Sequence, residues 1–277
     1  MKIGLFGMNM RPCVTAQAIA AAARLAEEAG FESFWGGEHI ALADPQTAES
    51  PMPPRTEFVD LTVAMAFAAA HTRRLRFATG IIILPLRNPV VLAKQLASVD
   101  VVSGGRFICG FGIGNLAFEF AAAGMPFEHK GRRAEEAIGV MRALWSGGEF
   151  NGRYFKVSGV RAEPRPVQPR IPIIFGGKSK FAFSRTARLG DGWYGYGLEL
   201  EQARKCIEGL RTACERHGRR FEEIEVSITP KVAADRDLVR RYEDLGVGRV
   251  IVAPRVRTID EMAEAIARNG RELIGSS

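Results

Sequence analysis

Residues Ile173 to Tyr196 read IIFGGKSKFAFSRTARLGDGWYGY, and this stretch decides the fold. Ile173–Phe175 is a short apolar strand that ends in Gly176-Gly177-Lys178-Ser179. Phe181–Leu189 reads as its helix, and Gly192–Tyr196 is a strand again. Strand, glycine loop, helix and strand in direct succession is the unit from which parallel sheets are built, because parallel strands need a crossover between them.

The same unit recurs in both directions. Upstream, strands are predicted over Lys2–Gly7, Phe31–Trp35, Leu75–Leu84 and Arg106–Phe111. The isoleucine-rich third run has the continuous apolar character of a strand covered on both faces. Thr15–Ala29 is an Ala-rich helix with Thr15 as its N-cap and Gly30 as its stop. A second helix is predicted over Glu57–Ala70. Leu92, Leu96 and Val99 form the stripe of a third, and Glu135–Trp145 is an amphipathic fourth. Downstream come the helix Glu201–Arg216, the strand Glu225–Thr229, the helix Leu238–Leu245 and the strand Arg249–Val252. The helix Thr258–Leu273 closes the series, with Thr258 and Glu261 spaced as a capping box.

One interruption stands out. Glu149–Val157 reads as a hairpin turning at Asn151-Gly152, a dipeptide suited to a tight type I′ turn, and Glu163–Pro172 is Pro-rich. Eight strand-to-helix units in 277 residues predict an α/β fold: a single (β/α)8 TIM barrel forming one domain over residues 1–277. The hairpin and Pro-rich segment are its insertion between strands four and five.

Composition agrees with a packed core, at 47% hydrophobic and 25% charged residues. The net charge of +7 is dispersed over pairs such as Arg73-Arg74, Arg132-Arg133, Arg219-Arg220 and Arg240-Arg241. Such pairs read either as solvated helix ends or as an attractive field for an anionic cofactor or substrate, and no nucleic-acid partner is expected. Cys13, Cys109, Cys206 and Cys214 form no CxxC pair, so neither a disulfide frame nor a zinc site is predicted, and a reducing cytoplasmic setting is expected. Met1–Asn9 lacks the pattern of a signal peptide, and no run is long enough to span a membrane.

In a barrel of this kind the chemistry lies on loops after the strands' C-terminal ends. That rule selects Glu38-His39, Gly80-Ile81, Gly112–Asn115 and Gly176–Ser179. His39 is the candidate for proton exchange near neutral pH. Glu38 is its neighbour, either orienting His39 or binding cofactor. No metal is predicted, since Glu38 and His39 diverge on a strand and no HExxH is present. Gly112, Gly114 and Asn115, and separately Gly176, Gly177, Lys178 and Ser179, can bring bare N–H groups against a phosphate. The first of these loops is not a dinucleotide fingerprint, lacking the third glycine. Trp193 and Tyr196 are either core or the walls of a pocket for a flat ring.

Taken in order, Phe34–His39, Ala78–Ile81, Asn88–Val90, Leu92–Gln95, Ser103–Phe107, Phe175–Ser179 and Gly190–Trp193 resemble the luciferase-like monooxygenase superfamily, in particular its coenzyme F420-dependent oxidoreductase branch. The resemblance runs from strand one to strand six; after Tyr196 only the helix–strand rhythm matches. It implies hydride transfer between the deazaflavin F420 and a small organic substrate, with the ring near His39 and the phosphate on Gly176-Gly177. It further implies a non-prolyl cis peptide at Gly80–Ile81 beneath the ring, cofactor contacts from Gly112–Asn115, and a homodimer. Two positions depart from relatives. Ile113 stands where the luciferases proper carry an arginine for the flavin mononucleotide phosphate, and Asn115 where sugar-phosphate dehydrogenases of the F420 branch carry a glutamate. The first departure weakens the flavin reading, which stays as the alternative, an FMN-dependent monooxygenase; a catalytically silent cofactor-binding barrel is the third reading.

Overall fold

The apolar runs become the staves of a closed barrel in the computed structural model, which describes residues 1–275; 276–277 of the expected domain lie outside the described residues. The strands are β1 (Lys2–Phe6), β2 (Ser33–Gly36), β3 (Arg76–Thr79), β4 (Ile82–Ile83), β5 (Phe107–Gly112), β6 (Phe150–Asn151), β7 (Lys156–Val157), β8 (Ile173–Gly176), β9 (Gly192–Leu198), β10 (Glu225–Pro230) and β11 (Arg249–Val252). The helices are α1 (Ala16–Glu28), α2 (Leu61–Ala70), α3 (Pro89–Ser103), α4 (Ala117–Ala122), α5 (Lys130–Ser146), α6 (Lys180–Leu189), α7 (Leu200–Arg216), α8 (Arg236–Asp244) and α9 (Ile259–Asn269).

Around the ring the order is β1, β2, β3 with β4, β5, β8, β9, β10 and β11, which pairs back to β1. Every pairing is parallel, and β3 and β4 share one stave because both lie against β5. The predicted (β/α)8 barrel is the observed fold. The antiparallel β6–β7 pair falls between the fourth and fifth staves, where the insertion was expected. Its turn differs from the prediction. Asn151 ends β6, and Gly152–Phe155 form the loop, whose Arg153, Tyr154 and Phe155 N–H groups donate to the Glu136 carboxylate on α5. A side chain from another element thus sets a turn that the Asn-Gly pair was expected to set.

Capping residues fix where helices begin. Asp60 accepts from Thr62 N at 2.9 Å, so α2 starts later than the predicted Glu57. Asn88 caps α3 with Pro89 in its first turn, and Gly104 closes it in the left-handed conformation at φ 66°. Thr258 and Glu261 form the predicted capping box; α9 ends at Asn269, and a wider turn continues over Gly270–Ile274. The short α4 was not predicted.

Strand alternation sorts the core into two shells. Phe6, Trp35, Ala78, Ile108, Ile174, Tyr194 and Ile251 point into the barrel. Phe34, Phe77, Phe107, Phe111, Phe175 and Trp193 point outward beneath the helices. Arg249 plugs the barrel at the strands' N-terminal ends and is fully buried. Its Nε and Nη2 donate to the two Glu32 oxygens at 2.9 and 3.0 Å, and its Nη1 donates to Glu225 and Ser227 at 3.0 Å each. Burial opposes ionisation of Glu32 and Glu225, yet Arg249 holds both carboxyls below the usual range. The four cysteines are buried and unpaired, and no helix of the described residues is long and apolar enough to cross a membrane.

Candidate active site

At the opposite end, the stave β3–β4 breaks where the predicted single strand Leu75–Leu84 was continuous. The Gly80–Ile81 peptide is cis, at the position the resemblance implied. Gly80 N donates to Gly36 O at 2.7 Å, and a Cβ on Gly80 would lie 2.9 Å from Tyr194 and 3.1 Å from Trp35. Only glycine fits so close to the barrel's interior aromatics. The break turns Ile81 into the mouth, where its side chain fills the space that a Cβ on Gly112 or Gly176 would need, at 2.5 and 3.2 Å. The floor of the mouth is therefore an isoleucine flanked by two glycines from neighbouring strands.

The rim of this floor carries the predicted loops. Gly177 has φ 114°, and its carbonyl accepts from Trp193 Nε1 at 2.8 Å. Ser179 caps α6 by accepting from Ala182 N at 3.2 Å. The N–H groups of Lys178, Lys180 and Phe181 have no acceptor among the described residues, so α6 presents free donors beside the glycines. Lys178 is exposed. Gly114 turns at φ 65° with Ile83 and Phe120 behind it, and Asn115 is exposed on the same loop. Trp193 does not wall the mouth. It packs outward against Phe183 and anchors the Gly177 loop from behind, while Tyr196, 56% exposed, stands at the mouth 5.4 Å from the Phe6 ring.

His39 follows β2 on the rim, with Phe58 edge-on at 5.7 Å. Glu38 does not orient it. The Glu38 carboxylate accepts from Ile83 N at 2.7 Å and pairs with Arg87, which also donates to Asp60 at 3.0 Å. Burial pushes the Glu38 carboxyl up, in opposition to Arg87. Glu38 thus ties the β2 loop to the segment just past the cis peptide. The carboxylate that meets His39 is Glu119 of α4, at 3.3 Å from Nδ1. Asn9 completes the rim by donating to Gly37 O and Val59 O at 2.8 Å each. A cleft of about 240 Å³ lies among Asn9, Glu38, His39, Phe58, Asp60 and Arg87.

Sequence reading missed Glu119, Arg87 and Asn9 as parts of the mouth. For Glu119 a signal existed: it is the one charged residue in the otherwise apolar run Leu116–Ala123. Among the described residues no cluster of His, Cys, Asp and Glu is suited to a metal ion.

The floor and rim fit a flat ring with a phosphate-bearing tail. Two glycines leave a flat ring free to approach Ile81, and the unpaired N–H groups beside Gly177 are the donors an anion would need. The luciferase-like monooxygenase family model matches residues 3–272. The uncharacterized protein Rv0953c of Mycobacterium tuberculosis is 32% identical over 269 residues, covering 92% of this chain and 93% of that protein. The F420-dependent glucose-6-phosphate dehydrogenase of Amycolatopsis mediterranei is 28% identical over 231 residues, covering 79% and 66%. The solved F420-dependent secondary alcohol dehydrogenase, in complex with an F420-acetone adduct, superposes with a TM-score of 0.80 at 16% identity over 99% and 98% of the two chains. With a match that spans nearly the whole barrel, the chain belongs to the luciferase-like monooxygenase family.

Proposed function

We propose that the protein is an F420-dependent oxidoreductase acting on a small organic substrate. The observation that carries this reading is the floor of Ile81 between Gly112 and Gly176, bordered by His39 on one side and the α6 N-terminus on the other. Gly176, Gly177, Lys178 and Ser179 would hold the phosphate, and Gly80, Ile81, Gly112, Gly114 and Asn115 would line the ring. When bound, the deazaflavin supplies the hydride chemistry. The chain's own residues bind and orient the reactants, exclude water at the apolar floor, and move a proton at His39 Nε2.

The similarity to a dehydrogenase named for F420 supports this cofactor over flavin mononucleotide. So does the rim chemistry. A flavin mononucleotide tail ends in a phosphate monoester, a dianion that favours an arginine, whereas Ile113 occupies that loop. The phosphodiester of F420 carries one charge and is served by backbone N–H groups. A homodimer is also proposed, because α2 turns Val63 (60% exposed), Ala66, Phe67 and Ala70 outward at helical spacing. The unpaired cysteines support a cytoplasmic setting.

The deciding experiment is a fluorescence titration of the purified protein with F420 and, separately, with flavin mononucleotide. Saturable binding of F420 alone is expected. Binding of flavin alone would transfer the protein to the monooxygenase reading, and binding of neither would overturn both. Tight F420 binding without turnover across a broad substrate screen would favour a silent barrel.

A further inference from the structure

The short helix α4 after β5 holds a carboxylate whose place is hard to explain by packing. Glu119 is 1% exposed, and it is the one acidic residue between Gly112 and Met125. Its Oε1 accepts from Ile40 N at 3.0 Å and faces His39 Nδ1 at 3.3 Å. A single oxygen therefore holds both the imidazole and the backbone directly after it.

We infer that Glu119 is the positioning residue for His39, fixing the imidazole with hydrogen on Nδ1 so that Nε2 is the atom presented for proton transfer. This rests on the reading that His39 moves the proton. Three features carry the inference. The first is rigidity: Gly114 turns the chain in the left-handed region, and Phe120, next to Glu119, is buried against Ile83 and Leu86. The carboxylate is thus held by a packed helix and does not sit on a free loop. The second is chemistry. A neutral acceptor would satisfy the Ile40 N–H equally well, so the distinctive effect of a carboxylate falls on the imidazole. The neutral histidine side chain in water favours hydrogen on the ε nitrogen, and an acceptor at Nδ1 reverses that preference.

The third is elimination. Asn115 on the same loop is neutral and exposed, and Glu38 is committed to Ile83 and Arg87. Of the nearby carboxylates, the one in contact with His39 is Glu119. Phe58 stands edge-on to the ring.

The test is the tautomer of His39, read from two-bond ¹⁵N–¹H correlation spectra of the labelled cofactor-free protein at about pH 8.5, where an ordinary imidazole is neutral. The His39→Asn spectrum identifies the signal among the four histidines. Native protein should show His39 predominantly as Nδ1–H. Glu119→Leu should convert it to a majority of Nε2–H, and Glu119→Gln, which keeps the shape and removes the charge, should raise the Nε2–H fraction above the native one. The dissociation constant for F420 should stay within about twofold in both variants, since neither touches the glycine floor. A native Nε2–H tautomer overturns the inference even if the leucine variant does not fold, as does an unchanged tautomer in both variants. Failure of native protein to bind F420 would remove the proposed function and leave the tautomer result standing.

Discussion

The two ends of this barrel are built from the same strands and treat polar groups in opposite ways. At the N-terminal ends, Arg249 is sealed from water and its Nε, Nη1 and Nη2 are all satisfied by Glu32, Glu225 and Ser227. At the C-terminal ends, the chain leaves α6 N–H groups unmet, bares two glycines around Ile81, and holds one imidazole by a single carboxylate. A buried polar group must find its partners inside the protein, so the sealed end is organised for stability. Groups left free at the open end are available to a ligand. The contrast separates residues whose loss should unfold the protein from those whose loss should silence it.

The largest effect is expected at the open end. On the proposed function, His39→Asn should lower turnover with F420 about 10²- to 10⁴-fold, the range for loss of a positioned proton-transfer group. Its stability should stay within about 1 kcal/mol of native, since the ring is on the rim. Steady-state rates beside urea unfolding check both halves, and a variant with native turnover would remove His39 from the chemistry. The sealed end should answer in reverse. Arg249→Met leaves Glu32 and Glu225 without their shared partner, for an expected loss of about 3–5 kcal/mol of stability. F420 affinity of the remaining folded protein should be unchanged. A loss under about 1 kcal/mol would mean that the plug is not what holds this end together.

A third variant probes the boundary between the two. Gly112→Ala places a methyl 2.5 Å from Ile81 Cδ1 and forces that side chain out of its rotamer. The strain should lower stability by about 1 kcal/mol. The F420 dissociation constant should rise roughly 10-fold, equivalent to about 1.4 kcal/mol, because the displaced isoleucine enters the ring's space. Equal affinities in the two proteins would place the ring elsewhere than on this floor.

How much of this was legible follows from the range of the forces. The staves were readable because each is a short apolar run closed by glycine or a polar cap, and both signals are local. The break at Gly80–Ile81 was not in the periodicity, since Gly80 to Leu84 runs on from Phe77-Ala78-Thr79 with nothing but a glycine to mark it; it was expected from resemblance alone. The helix α4 escaped because six residues are too few to show a 3.6-residue period. Its Glu119 meets a histidine 80 positions earlier, a pairing that only the closed ring creates. Trp193 and Tyr196 were grouped together as possible walls although three positions separate them on β9. Strand alternation puts residues an odd number apart on opposite faces, and Trp193 accordingly lies under the helices while Tyr194 and Tyr196 face inward.

The smallest expected effect is also the one that compares the two ends in a single titration. Glu32 and Glu225 have carboxyl pKa values held below the ordinary range, with burial overcome by Arg249. The folded protein binds their protons less readily than the unfolded chain does. Their contribution is therefore full above the unfolded carboxylate pKa and is lost as pH falls through the folded values. Glu38 has the opposite shift: burial raises its pKa even with Arg87 alongside. Its contribution is full below the unfolded pKa and is lost as pH rises through the folded value. Urea unfolding at a series of acid to neutral pH values should show native stability falling on acidification, because the carboxyls held below their ordinary range, Asp60 and Glu27 among them, outnumber Glu38. In Glu38→Gln the opposing group is gone, so the stability of this variant relative to native should climb as pH rises from the acid range toward neutral. A flat difference across that range would mean that Glu38 ionises as easily in the fold as outside it, and that the open end is as well compensated as the sealed one.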